Sequence, residues 1–225
     1  MHQDGLYYDL NTPEAFEEIF FSTFENELDW KIKFERFVQL VLIKTRKKKY
    51  LSKNNYNFKR LKKIEEIFPK AKFLIPFREP LEQAYSMMLQ HKNFKYKQNE
   101  DPFIMKYTNY LGHFEFGNNH KSWFKPVFYN DSSKLNYWLE QWYLYYNDVF
   151  YSNNISNNCF LVSHDQLCKN KDYKKKLLKW INISSSNNFD FIYKKKIKKE
   201  TFDKTMYDKC ILLFKNLEKK FSRDV

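Results

Sequence analysis

Glycine is almost missing from this chain: three residues, Gly5, Gly112 and Gly117, in a total of 225. None lies near another in a short motif, so the sequence holds no glycine-rich loop of the kind that wraps a phosphate in main-chain N–H groups. Cysteine is just as scarce. Cys159, Cys168 and Cys210 are odd in number and widely spaced, which supports neither a disulfide framework nor a zinc site, and the expectation is free thiols in a reducing cytoplasm. No apolar stretch approaches the roughly 20 residues of a membrane span, the longest being the broken run from Phe37 to Ile43. A basic and apolar leader is not apparent at the start either.

Arginine is the third scarcity. Lys and Arg total 40 and the net charge is +13, yet the arginines are only Arg36, Arg46, Arg60, Arg78 and Arg223. Surfaces that read nucleic acid favour arginine for its bidentate fork, so the charge is read as codon drift, in step with the abundance of Asn, Ile, Phe and Tyr. Nucleic acid is therefore set aside as a partner. A positive field would still draw in an anionic nucleotide.

What the chain does have is aromatic mass, 20% of its residues, ample for the core of one large domain spanning residues 1–225. Thr12 and Pro13 cap a helix over Glu14–Phe24, and Phe34, Phe37, Val38 and Val41 form the stripe of a second over Phe34–Ile43. The basic run at 44–49 is its solvated exit. A short strand is expected at Lys49–Ser52, a helix at Asn57–Ile67, and a strand buried on both faces at Lys72–Phe77. Helices dominate 101–150, a further strand covers Cys159–Ser163, and the tail reads as two lysine-rich helices about a polar loop. The order βαβα predicts an α/β fold with a parallel sheet flanked by helices and a helix-rich C-terminal half.

The most informative segment is KFLIPFREPLEQAYS at 72–86. A strand ends at Arg78, and Glu79 and Pro80 at once start a helix, placing a guanidinium beside free N–H groups where anions collect. Ser86 stands nearly two turns in, within reach of a phosphate held there. The plainer readings are an ion pair of Arg78 with Glu79 or Glu82, and a serine bonded back to its own helix.

The spacing of Arg78, Pro80 and Ser86 after Phe68, Pro69 and Ala71 resembles the 3′-phosphate-binding segment of sulfotransferases that use 3′-phosphoadenosine 5′-phosphosulfate (PAPS). LSKNNYNFKRL at 51–61, QHKNF at 90–94, LGHFEFG at 111–117 and HQDGLYYDLNTPEAFEEIF at 2–20 are similar to stretches of bacterial members of that superfamily. The likeness covers roughly residues 2–170. It implies a P-loop-like parallel sheet, here expected to lack its first βα unit with the glycine loop that holds the 5′-phosphosulfate. It also implies PAPS as co-substrate, no metal, and a hydroxyl-bearing small molecule or carbohydrate as acceptor. Arg78, Ser86 and Lys53 become the nucleotide contacts, although Lys53 also reads as one more surface lysine. His2 and Asp4 fall where several branches place the base that takes the acceptor's proton. A missing first strand would leave a sheet edge open to another chain.

Other polar groups have structural readings. His91, His113 and Glu115 tie helices together, and neither the deaminase pattern nor HExxH accompanies them. Tyr137, Trp138, Trp142, Tyr145, Tyr146 and Val149 read as core, with stacking on a sugar ring as the other use of such faces. The lysines at 194–199 read as a solvated face. The alternative to an enzyme is a non-catalytic basic module that holds polyanions or a protein partner.

Overall fold

A computed structural model describes residues 16–151, 158–183 and 200–223. Helices dominate. In chain order they are α1 (Glu17–Phe24), α2 (Trp30–Thr45), α3 (Leu61–Ile67), α4 (Pro80–Glu100), α5 (Pro102–Tyr110), α6 (Leu135–Tyr151), α7 (His164–Lys169), α8 (Lys171–Trp180) and α9 (Lys204–Arg223). Two short strands, β1 (Phe73–Phe77) and β2 (Cys159–Ser163), pair in parallel with Phe73 opposite Cys159 and Phe77 opposite Ser163. The fold is thus mixed α/β with helix in excess, and among the described residues the sheet is two strands wide.

The main core lies where α4, α6 and α9 meet one face of the sheet. Trp138, Trp142, Leu139, Phe77, Met88 and Leu217 are almost fully enclosed there. The alternation of a strand explains which sheet residues join them: Ile75, Phe77 and Leu161 point to this core, while Phe160 and Val162 point to Tyr173 and Leu177 of α8. A second cluster joins α1, α2 and α3 through Phe20, Phe21, Trp30, Phe34, Val38 and Ile64. Burying aromatics of this size contributes on the order of 2–3 kcal/mol each before the entropy of ordering is subtracted.

Three expectations change. β2 is buried on both faces, but β1 is not: Leu74 is 43% exposed and Pro76 is exposed, because α8 leaves that side of β1 partly uncovered. No strand forms at Lys49–Ser52. That segment runs extended into a 3₁₀ turn at Asn55–Lys59, which Asn54 caps by accepting from the Tyr56 N–H at 2.9 Å. The expected helix at 57–67 is therefore this turn followed by α3.

The outer edges of the sheet explain why no third strand joins among the described residues. Phe73 N–H donates to the Asn158 carbonyl, so the odd-numbered residues of β1 bond to β2 and the main chain of Leu74, Pro76 and Arg78 points outward. Pro76 has no N–H to offer, and its carbonyl accepts from the Tyr146 hydroxyl at 2.7 Å. The Arg78 N–H donates to Gln83. On the far edge of β2 the Tyr173 hydroxyl accepts from Ser163 N–H at 2.9 Å and donates to the Leu161 carbonyl at 3.4 Å. The edge expected to stand open is thus largely occupied by side chains, a standard way of discouraging strand addition.

Candidate functional site

Because β1 and β2 end in register, the residues that follow them, Arg78 and His164, emerge side by side at the carboxyl edge of the sheet. The backbone at Arg78 is held firmly. Gln83 Oε1 accepts from Arg78 N–H and from the Trp142 indole, both at 3.1 Å, while Gln83 Nε2 donates to the Tyr146 oxygen at 3.0 Å. Glu79 caps α4, its carboxylate accepting from Glu82 N–H at 2.8 Å and from the Tyr207 hydroxyl of α9 at 2.9 Å. The strand and Pro80 at the first helical turn appear where the sequence predicts them, and Glu79 proves to be the capping residue.

The guanidinium of Arg78 is mostly enclosed, its side chain 29% exposed. Nη2 lies 3.7 Å from Glu82 Oε2, an ion pair longer than a hydrogen bond, which is the plainer reading of this arginine in part realised. Nε is buried and meets no hydrogen-bond acceptor among the described residues. Burial, and then the positive charge of Arg78, lower the pKa of His164, against the pull of Asp165 and Glu82. Cys168 Sγ is 3.7 Å from His164 Nε2, and burial pushes its thiol pKa up, so the pair is thiol and neutral imidazole rather than an activated nucleophile. Asp165 Oδ1, buried with no hydrogen-bond donor among the described residues, lies 3.9 Å from His164 Nδ1. The arrangement can hold an oxyanion on a guanidinium with an N–H unused among the described residues, in competition with the carboxylate of Glu82.

Ser86 follows Glu82 by one turn, hence on the side of α4 that meets Arg78, and it is exposed. Lys53 is exposed and has no strand before it, so it does not end a strand beside β1 as expected; the neighbouring Asn54 donates to Glu18 at 2.9 Å. His2, Asp4 and the lysines at 194–199 lie outside the described residues. Tyr137, Trp138, Trp142, Tyr146 and Val149 are core, as read. Gln83, His164 and Asp165 escaped sequence reasoning. A glutamine on the apolar side of α4, and two polar residues directly after a strand parallel to β1, were the available signals.

His91 and Glu115 do not share a site. Glu115 accepts from Asn55 at 3.1 Å and pairs with His113 at 3.7 Å; burial pushes its pKa up, but these partners outweigh it and the net shift is downward. His91 is almost fully enclosed, accepting from Gly117 N–H at Nδ1 (3.2 Å) and meeting Ser132 Oγ at Nε2 (3.1 Å). Gly117 has φ +94°, and a Cβ there would sit 2.3 Å from Gln98 Oε1, so only glycine brings this N–H to the ring. Burial, then His120, Lys95 and Lys92, lower the His91 pKa from 6.5 to about 4. Between those values the unfolded chain takes up a proton that the native chain refuses. Stability is thus full above pH 6.5 and falls by about 3 kcal/mol as the pH drops toward 4. Urea unfolding across that range should show the slope in the wild type and lose most of it in His91→Gln; an unchanged slope would place its origin elsewhere.

Set beside known proteins, the chain matches no family model, no curated protein and no solved structure.

Proposed function

We propose that the protein is a sulfotransferase domain that takes the 3′-phosphate of PAPS at the Arg78 edge. The observation that supports this reading is the placement of Arg78: at the end of a parallel strand, immediately before the N-terminus of a 21-residue helix, with a buried Nε that has no acceptor among the described residues. A phosphate oxygen supplies the acceptor, and Ser86 offers a hydroxyl two turns along. Glu82 must then share the guanidinium with the incoming anion. In the reaction the acceptor oxygen attacks sulfur, the bond from sulfur to the 5′-phosphate oxygen breaks with its electron pair going to that phosphate, and the acceptor's proton passes to a base. His2 and Asp4 remain the proposed bases, and no described residue is assigned to the transfer step.

Adenosine 3′,5′-bisphosphate at about 100 times its Kd should raise the melting temperature by roughly 5–10 °C, the equivalent of about 2.7 kcal/mol in a chain this long. Arg78→Ala should abolish the rise and Ser86→Ala reduce it. Unaltered melting at saturating nucleotide would sink the assignment.

A second reading has its own support. Lys44, Arg46, Lys47, Lys48 and Lys49 are all exposed at the end of α2, a surface suited to a basic module that binds polyanions. On that reading, binding to heparin is salt-sensitive and survives Arg78→Ala.

A further inference from the structure

About 17 Å along α4 from its start, beyond the Arg78 edge, a cavity opens between that helix and the irregular segment at 111–134. Its volume is about 280 Å³, and it is lined by His91, Lys95, His120, Ser122, Ser132 and Tyr137, with Gly117, Asn118, Pro126 and Asn130 completing the wall. No carboxylate is among these residues. Two acids stand nearby with other partners: Glu115, engaged with Asn55 and His113, also pulls on His120, and Asp131, which accepts from Ser133 N–H at 2.9 Å, feels the charge of Lys95. Lys95 is exposed at the rim, one turn beyond His91.

The hydrogen bonds fix the direction of the protons. Nδ1 of His91 accepts from Gly117, so a neutral His91 carries its proton on Nε2 and donates it to Ser132. The hydroxyl proton of Ser132 must then point away from the ring. Nδ1 of His120 lies 3.3 Å from the Phe114 carbonyl and so carries the proton, leaving Nε2 to accept from the Tyr137 hydroxyl at 2.6 Å. The two rings stand 5.1 Å apart, edge to face. Burial lowers the pKa of His120, against the pull of the Phe114 carbonyl and of Glu115, so both rings are neutral near pH 7. The wall therefore offers an ammonium and a serine O–H beside two neutral imidazoles, with no carboxylate in its lining.

We propose that this cavity binds a small tetrahedral oxyanion, a sulfate or phosphate group, through Lys95 and Ser132. The inference does not depend on the nucleotide site, which is built from other residues at the far end of α4. The chemistry is that of charge-assisted hydrogen bonds to an anion, with the two histidines as local reporters.

Histidine ring resonances of the full chain, titrated with sodium sulfate and in parallel with sodium chloride at equal ionic strength, test it directly. The expected result is saturable movement of the His91 and His120 signals in sulfate only. Lys95→Ala, at an exposed position, should weaken the apparent affinity at least tenfold, whereas Arg78→Ala should change it less than twofold. A second titration with a monosaccharide sulfate distinguishes the source of the group: tighter binding than inorganic sulfate marks part of a larger ligand, equal binding a free ion. Movement that never saturates, that chloride reproduces, or that vanishes in Arg78→Ala and not in Lys95→Ala overturns the proposal. Loss in Arg78→Ala alone would still leave the nucleotide reading intact, so the two ideas fail separately.

Discussion

Replacing Glu140 with alanine is expected to remove roughly 3–5 kcal/mol of stability, by breaking charge-assisted hydrogen bonds and leaving buried donors unpaired. The carboxylate lies inside the protein, 1% exposed, on α6. One oxygen accepts from the N–H groups of Val127 and Phe128 at 3.0 and 2.9 Å, and the other accepts from Tyr129 at 3.0 Å. Three successive donors converge on one side chain, a nest closed by a carboxylate instead of a free ion. The segment they belong to has no helix or strand to satisfy them otherwise. Glu140→Gln should recover only part of the loss, since the amide keeps a single acceptor oxygen and turns N–H groups against N–H groups. Equilibrium urea denaturation of the three proteins gives the ranking. Glu140→Ala within 1 kcal/mol of the wild type would show that the loop is held by other means.

The second large effect is expected at Arg60, the centre of an ionic cluster between α1 and the 50–60 segment. Its guanidinium reaches both oxygens of Glu18 at 2.9 Å, Glu25 at 3.2 Å, and lies 4.2 Å from the centre of the Phe21 ring. Glu17 in the same cluster accepts from the hydroxyl of Tyr50 at 2.5 Å and from Asn57 at 3.1 Å. Arg60→Ala strands two partly buried carboxylates and removes the lid over Phe21. The cost should be about 3–5 kcal/mol at neutral pH, from the uncompensated charge left behind. Arg60→Lys should fall between, because one ammonium cannot span both partners.

The pH dependence carries the diagnosis. Burial pushes the Glu25 carboxyl up, but Arg60 and Lys63 outweigh it and hold the folded pKa below the usual 4.5. A depressed carboxylate gives stability that is full above its unfolded pKa and is lost as the pH falls through the folded value, so the wild type weakens below about pH 4.5. Without Arg60 the same carboxyl is left with its burial and a single exposed lysine, and the acid-side loss should shrink. Thermal unfolding from pH 7 to 3 should then show the gap between wild type and Arg60→Ala narrowing as the solution becomes acidic. A constant gap would mean that the guanidinium acts by packing alone.

Periodicity and capping were enough for much of the architecture. The expected strand at Cys159–Ser163 matches β2, the run from Lys72 to Phe77 differs from β1 by one residue, and the stripe from Phe34 to Ile43 lies inside α2. The arginine, capping glutamate and proline at 78–80 likewise sit as their order suggests, because each depends only on its immediate neighbours. What the sequence could not reveal is held by long-range side-chain bonds. The segment at 111–134 has no period to read, yet it is pinned by Glu140, by His91, and by Gln141, which both accepts from Phe124 N–H and donates to its carbonyl. The missing strand at Lys49–Ser52 has a similar cause: a strand needs a neighbour with donors, and the flank of β1 presents Pro76. Lys53 therefore ends no strand, and the residue that the sheet sets beside Arg78 is His164.

The proline in β1 and the two tyrosine hydroxyls have a consequence for how this protein would tolerate engineering. Each tyrosine works as a selvedge, finishing a ribbon of backbone that would otherwise fray into its surroundings. Exchanging either ring for phenylalanine keeps its bulk and discards the stitch, and a change of Pro76 to valine returns a donor to the open flank. Together these swaps would turn a hemmed border into a seam able to join one molecule to another.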